Sequence, residues 1–111
     1  MMLRMIPLCA LLAVSACDEA NRAVDEAARR SAKLAVSETV TTRFPAVPKQ
    51  LITPFTDCVI DNASSGEIGR FARDAVVGVS DDTLTLVGTV LERSETQQCV
   101  LRAGIGVLGA G

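Results

Sequence analysis

The 111-residue chain contains no histidine, tryptophan or tyrosine, and its aromatic content is three phenylalanines. Each absence removes a class of chemistry. Without histidine, neither a Ser/His/Asp triad nor a histidine-based metal site can be assembled. With Phe44, Phe55 and Phe71 as the sole stacking surfaces and a formal net charge of −2, the chain lacks the basic, aromatic-lined face that nucleic-acid binding needs. Long hydrophobic runs are missing too. The apolar stretch from Met5 to Val14 is about half of the roughly 20 residues that a spanning helix requires, so no transmembrane helix is expected. At this length the chain holds one domain at most.

What stands at the N-terminus has the order of a secretory leader: a short segment carrying Arg4, an apolar run, then Val14, Ser15, Ala16 and Cys17. This tetrad resembles the lipobox of small Gram-negative bacterial lipoproteins. The resemblance implies that residues 1–16 are a signal peptide and that Cys17 receives a diacylglyceryl group and becomes the first residue of the mature chain. The alternative is an ordinary signal cut after Val14-Ser15-Ala16, a tripeptide that also suits a general cleavage site. Cysteine parity favours the lipidated form. Cys9 leaves with the leader, and Cys17, Cys58 and Cys99 remain, an odd number for an oxidising compartment. If Cys58 pairs with Cys99, lipidation consumes the leftover thiol of Cys17. Asp18, directly after that cysteine, resembles the inner-membrane retention signal of some bacteria. The expected address is therefore the cell envelope, at the periplasmic face of the inner membrane, with the outer membrane left open.

Removal of residues 1–16 strips every methionine and Arg4, leaving 10 basic against 13 acidic residues. From Asp18 to about Thr42 the chain is rich in alanine and charge. Ala20, Val24, Ala27, Ser31 and Leu34 recur every three or four residues, and Asp18/Arg22, Asp25/Arg29 and Glu26/Arg30 are acid-before-base pairs four apart. The spacing predicts an amphipathic helix with a narrow, small-sided apolar stripe, better suited to a stalk or thin packing element over 17–43 than to a core helix. Upright, about 25 such residues would span roughly 35 to 40 Å. Phe44-Pro45-Ala46-Val47-Pro48 then breaks the pattern and opens a small domain over 44–104.

Within that domain Thr53-Pro54 predicts a helix start, with Thr53 as N-cap and the helix running through Ile60. Ser64-Ser65-Gly66-Glu67 is a capping box, with Ile68, Phe71, Ala72 and Ala75 on one face of the helix it opens. Ala75 to Leu91 reads either as a helix capped by Asp81 or Asp82, with Leu84, Val87 and Leu91 on one face and Leu86 and Val90 beside them, or as a hairpin turning at Ser80-Asp81-Asp82. The helix is preferred because a lone hairpin needs a partner sheet. Ser94-Glu95-Thr96-Gln97 predicts another capping box, with Cys99 inside the last helix, Gly104 ending it and residues 105–111 forming a flexible tail. The fold class is all-α: a small disulfide-stapled helical domain preceded by an Ala-rich amphipathic helix. A Cys58–Cys99 bridge would close a loop of about 42 residues, worth about 4 kcal/mol on the chain-entropy model.

Few constellations carry chemistry. Gly104-Ile105-Gly106-Val107-Leu108-Gly109 matches GxGxxG literally, but it follows a helix and not a strand, and no acidic residue comes after it. Asp57 and Asp61, four apart, and Asp81-Asp82 are paired carboxylates in polar settings, and solvated or capping roles suit them better than acid–base work. Arg70, Arg73 and Asp74 look like the wet face of the helix that buries Phe71. Neither a redox pair nor a cofactor or metal site is expected, and no enzyme activity.

Beyond the lipobox, Arg43-Phe44-Pro45, the run Thr56 to Ala63 and Glu95 to Cys99 resemble segments of small envelope lipoproteins of uncharacterised activity. Chains of this kind sometimes bear a respiratory label such as succinate dehydrogenase, yet no flavin fingerprint, iron–sulfur cysteine cluster or haem ligand is present. The expected function is a lipid-anchored envelope protein with a structural or protein-interaction role. The alternative is an accessory subunit or apolar-ligand module of a membrane complex, with a groove taking in Phe55 and Phe71.

Overall fold

The computed structural model describes the backbone of residues 6–109 and the side chains of residues 20–104 and 106. Among the described residues every regular element is helical: α1 (Ile6–Arg43), α2 (Lys49–Asp61), α3 (Ser65–Val77), α4 (Asp81–Leu91) and α5 (Ser94–Gly109). The all-α reading is correct, and Asp81–Leu91 forms a helix and not a hairpin arm.

Six polar and covalent links and one shared cleft define the topology. Asp61 and Asp57 of α2 meet Arg29 (2.8 Å) and Lys33 (3.1 Å) of α1, so α2 runs back along α1. Ser65, Ile68 and Gly69 at the start of α3 border a cleft with Ala28 and Arg29, and Arg43 at the end of α1 reaches Asp81 at 2.9 Å, just beyond α3. Thus α3 runs parallel to α1. Helix α4 returns, bringing Arg93 onto Glu67 and Asn62, and α5 turns again with Cys99 bonded to Cys58. The result is an up-down-up-down-up bundle. Its near end, where α1 leaves the body, holds the loops at 62–64 and 92–93; its far end holds those at 44–48 and 78–80.

The expected capping box forms at Ser64. Its hydroxyl accepts from the Glu67 N–H (3.2 Å), and its own N–H donates to Glu67 Oε1 (2.8 Å), which satisfies two donors at the N-terminus of α3. The helix so started carries Phe71, fully buried, and Ile68 into the core, with Ala72 and Ala75 packed against it. At α4 the N-cap is Ser80, one residue earlier than expected. There the Ser80 N–H donates to Thr83 Oγ1 (3.1 Å), whose hydroxyl donates to Asp74 (2.8 Å) and so ties α4 to α3. Leu86, Val87 and Val90 are buried, and Leu91 packs against the core.

Four further expectations change. The second half of α1 is a core element: Ala32, Ala35, Val36 and Val40 are 0–1% exposed, while Val24 and Leu34, placed on the apolar stripe by their spacing, are 66% and 69% exposed. The inward face is instead Ala28, Ala32, Ala35/Val36 and Thr39/Val40. Small side chains there let α1 and α3 approach closely, and Thr39 enters the core because its hydroxyl donates to the Ala35 carbonyl of its own helix (2.8 Å). Helix α2 begins at Lys49, not at Thr53-Pro54, with Pro48 as N-cap and Pro54 inside. Pro54 offers no N–H to the Gln50 carbonyl, and burial of Leu51 by the added turn offsets that loss. Finally, α5 continues through Gly104 to Gly109. Gly104 does not cap it, and residues 105–109 of the expected tail are helical. The capping box expected at Ser94 does not form, because Ser94 is already helical: the Gln97 N–H bonds the Arg93 carbonyl at 3.0 Å, and the Ser94 hydroxyl turns to Glu95.

Candidate functional site

Cys17 sits within the backbone span of α1, but its side chain lies outside the described residues, as do residues 1–5. Further along the helix, residues 20–27 are exposed, and among the described α1 side chains the first packed on the core is Ala28. An α1 segment of about ten residues, roughly 16 Å at 1.5 Å per residue, therefore separates Cys17 from the body. That is less than half of the stalk length expected from composition. Among the described residues no helix is long and apolar enough to cross a membrane.

Where α1 enters the body, the near end is tied by charge. Arg93 forms a two-pronged pair with Glu67, Nη1 to Oε1 and Nη2 to Oε2, both 2.8 Å, and Nη1 also donates to the Asn62 carbonyl at 2.7 Å. One guanidinium thus joins the end of α2, the start of α3 and the entry to α5. The Glu67 side chain is 15% exposed and that of Arg93 35%. The Arg93 hydrogen bonds, then the Ser64 N–H, hold the Glu67 carboxyl down at about 2, against the opposing effect of burial. In return, Glu67 raises the Arg93 pKa above its usual value. The Asn62 side chain closes α2 by donating to the Cys58 carbonyl (2.8 Å).

Cys58 and Cys99 are disulfide-bonded with Cα atoms 5.6 Å apart, as expected. Cys58 is 2% exposed and packs beside Val59 and Ile60 in the core. Three of the four candidate carboxylates are ion-paired between elements. Asp57 and Asp61 bind α1 cations and Asp81 binds Arg43, while Asp82 lines a cleft of about 320 Å³ with Arg70, Arg73 and Asp74. No two of these acids share a site in a way that splits their roles. The GxGxxG match from Gly104 to Gly109 has helical backbone, which cannot cradle a phosphate as a loop does. Among the described residues no group of three or more Cys, Asp or Glu is placed to hold a metal ion. Phe71 is a core residue and Phe55 is half-buried; neither borders the cleft at Arg70, the one at Ala28 or a third at Leu34.

Sequence pattern alone does not single out Arg93. Its partners lie 26 and 31 residues away, so no local pattern marks it. The Ser64-x-x-Glu67 box is the available signal, since it fixes one end of the carboxylate that Arg93 grips.

Fold and site together define the class: a five-helix, disulfide-stapled bundle with a helical N-terminal extension. The chain matches no protein-family model, no curated protein and no solved structure.

Proposed function

We propose that the protein is a lipid-anchored component of the bacterial cell envelope, with a structural or protein-interaction role, held through a diacylglyceryl group on Cys17 at the periplasmic face of the inner membrane. The observation that carries the reading is Val14-Ser15-Ala16-Cys17 behind a leader with one basic residue and an apolar run of about ten. Two or three acyl chains, at about 0.8 kcal/mol per buried methylene, anchor stably where one chain is marginal. The Cys58–Cys99 bridge adds support, since such bonds persist in oxidising compartments. So does the spacer of about ten residues before Ala28, which keeps the body clear of the headgroups.

Metabolic labelling with an alkyne fatty acid tests the anchor. Label is expected on the wild-type chain and absent from Cys17→Ala, which should also accumulate as the uncleaved precursor. An unlabelled wild-type chain, in cells where another lipoprotein labels, would overturn the reading. Replacing Asp18 with Ser addresses the membrane: a shift from inner- to outer-membrane fractions is expected, and an unchanged distribution would remove the retention argument.

A further inference from the structure

We propose that the far-end cleft between α3 and α4 binds a small zwitterion with a free carboxylate and a free amine, as an amino acid or a short peptide has. Arg70 and Arg73 take the carboxylate, and Asp74 and Asp82 take the ammonium. These four residues line one space of about 320 Å³, together with Val77 and Gly78. Sites for small ligands span roughly 300 to 1,000 Å³, so the cleft is large enough for a dipeptide. Elsewhere in the bundle the charges are spent on holding helices together: Arg29, Lys33, Arg43 and Arg93 each pair with an acid of another element. Among the described residues Arg70, Arg73, Asp74 and Asp82 form no ion pair, with one another or with any other group.

The separation of these charges has a structural cause. Asp74 follows Arg70 by four positions on α3, the spacing at which Glu26 and Arg30 pair on α1. Its carboxylate is instead held towards α4. Thr83, fully buried, donates from Oγ1 to Asp74 Oδ2 at 2.8 Å and accepts from the Ser80 N–H at 3.1 Å. The order of base before acid is also the weaker one for a pair on a single helix. Asp74 is thereby fixed before any ligand arrives. Asp82 lies in the first turn of α4, where the helix N-terminus favours its negative charge without a cation. A simple anion in the cleft would meet two aspartates, and a simple cation two arginines. A ligand with both signs satisfies all four. Val77, 68% exposed, is the apolar side chain of the lining and suits a small group such as the methyl of alanine. Arg70, Arg73 and Asp82 are open to water, so binding is weak, with a Kd in the millimolar range. The inference does not rest on lipidation.

The test is titration of the isotope-labelled full chain, in non-ionic detergent, with alanylalanine, read by backbone amide NMR shifts. Saturable shifts are expected at Asp74, Gly78, Ser80 and Asp82, with binding of the N-acetylated and of the C-amidated dipeptide at least tenfold weaker. Arg70→Gln combined with Arg73→Gln should weaken binding at least tenfold, and Asp82→Asn at least threefold. Arg22→Gln, at an exposed cation on α1 remote from the cleft, should leave it unchanged. All four positions face water, so circular dichroism should report the same helical fold in each variant. Titration with alanine separates the two sources of the zwitterion: tighter binding of the dipeptide assigns the cleft to peptides, and equal binding assigns it to free amino acids. No saturation at tens of millimolar, equal binding of the blocked dipeptides, or an unchanged affinity in the Arg70 and Arg73 variant would each overturn the site.

Discussion

The two ends of the bundle are built differently. At the near end Ser64 and Glu67 cap α3 reciprocally, Arg93 grips both oxygens of Glu67 and the Asn62 carbonyl, and the Cys58–Cys99 bond lies about one turn away along α2. At the far end the ion pair is Arg43 to Asp81, with the Asp81 side chain 87% exposed, and Val76 and Val77 stand 84% and 68% in water. The contrast shows where polar contacts count. A two-pronged pair with its carboxylate largely shielded and further hydrogen-bonded is a strong tie, and a single exposed pair is a weak one. The strong ties sit where α1 leaves the body, which under the proposed anchoring through Cys17 is the point that takes load from the membrane.

The largest test removes the covalent tie. Replacing Cys58 and Cys99 together with Ala should lower stability by about 4 kcal/mol, from the loop of about 42 residues that the bond closes. Chemical denaturation of the oxidised wild type against the double variant reads this directly. A loss below about 1 kcal/mol would mean that the helices, and not the bond, hold the near end together.

Glu67→Ala comes next, at about 2 to 3 kcal/mol, because it deletes charge-assisted hydrogen bonds and half of the capping box at once. Acid titration gives the same tie a second reading. The folded-state pKa of Glu67 is held down at about 2 against an ordinary 4.5, so its contribution is fully present above 4.5 and fades as pH falls towards 2. The stability gap between wild type and Glu67→Gln should therefore shrink over that window. A gap constant from pH 7 to pH 2 would show that the charge plays no part.

Much of this is legible from residues, and the limits have physical causes. The Ser64 box and the Ile68/Phe71 face are local patterns in which cap chemistry and hydrophobic period agree, and both stand. Cysteine parity points to the bridge. The α1 stripe is misassigned from sequence because Ala28, Ala32, Ala35/Val36 and Thr39/Val40 recur at the same three-and-four spacing as Ala20, Val24, Ala27, Ser31 and Leu34, and the contacts that choose between two such faces come from other helices. The buried Thr39 looks polar in sequence, and its hydrogen bond to Ala35 removes that cost in the structure. Pro54 suggests a helix start, yet burial of Leu51 one turn earlier outweighs the missing N–H. The Arg93 contacts, spanning 26 and 31 residues, leave no trace at short range.

At the far end Gly78 turns the chain between α3 and α4 with φ +114° and ψ 142°, a conformation that side-chain-bearing residues avoid. A Cβ there meets nothing within 4 Å, so the effect of Gly78→Ala comes from the backbone alone. The expected loss is about 1 to 2 kcal/mol. Thermal unfolding checks it, and a neutral result would show that the 78–80 loop relaxes to another conformation without disturbing α4.

The smallest effect should come from Arg43→Ala. Its 2.9 Å pair with Asp81 joins α1 to α4, but the two side chains are 44% and 87% exposed, so solvent and salt screen the attraction. Exposed pairs of this kind contribute about 0.2 to 1 kcal/mol, and Asp81 retains a favourable place in the first turn of α4 without its partner. The loss should therefore stay under about 1 kcal/mol in dilute buffer and vanish by about 1 M salt, where the screening length falls to roughly 3 Å. Glu67→Ala measured in the same salt series should keep most of its effect, since its carboxylate is shielded and accepts hydrogen bonds from the Ser64 N–H and both Arg93 nitrogens. If the two variants lose stability equally, or respond to salt alike, the difference between the two ends is one of geometry without an energetic counterpart.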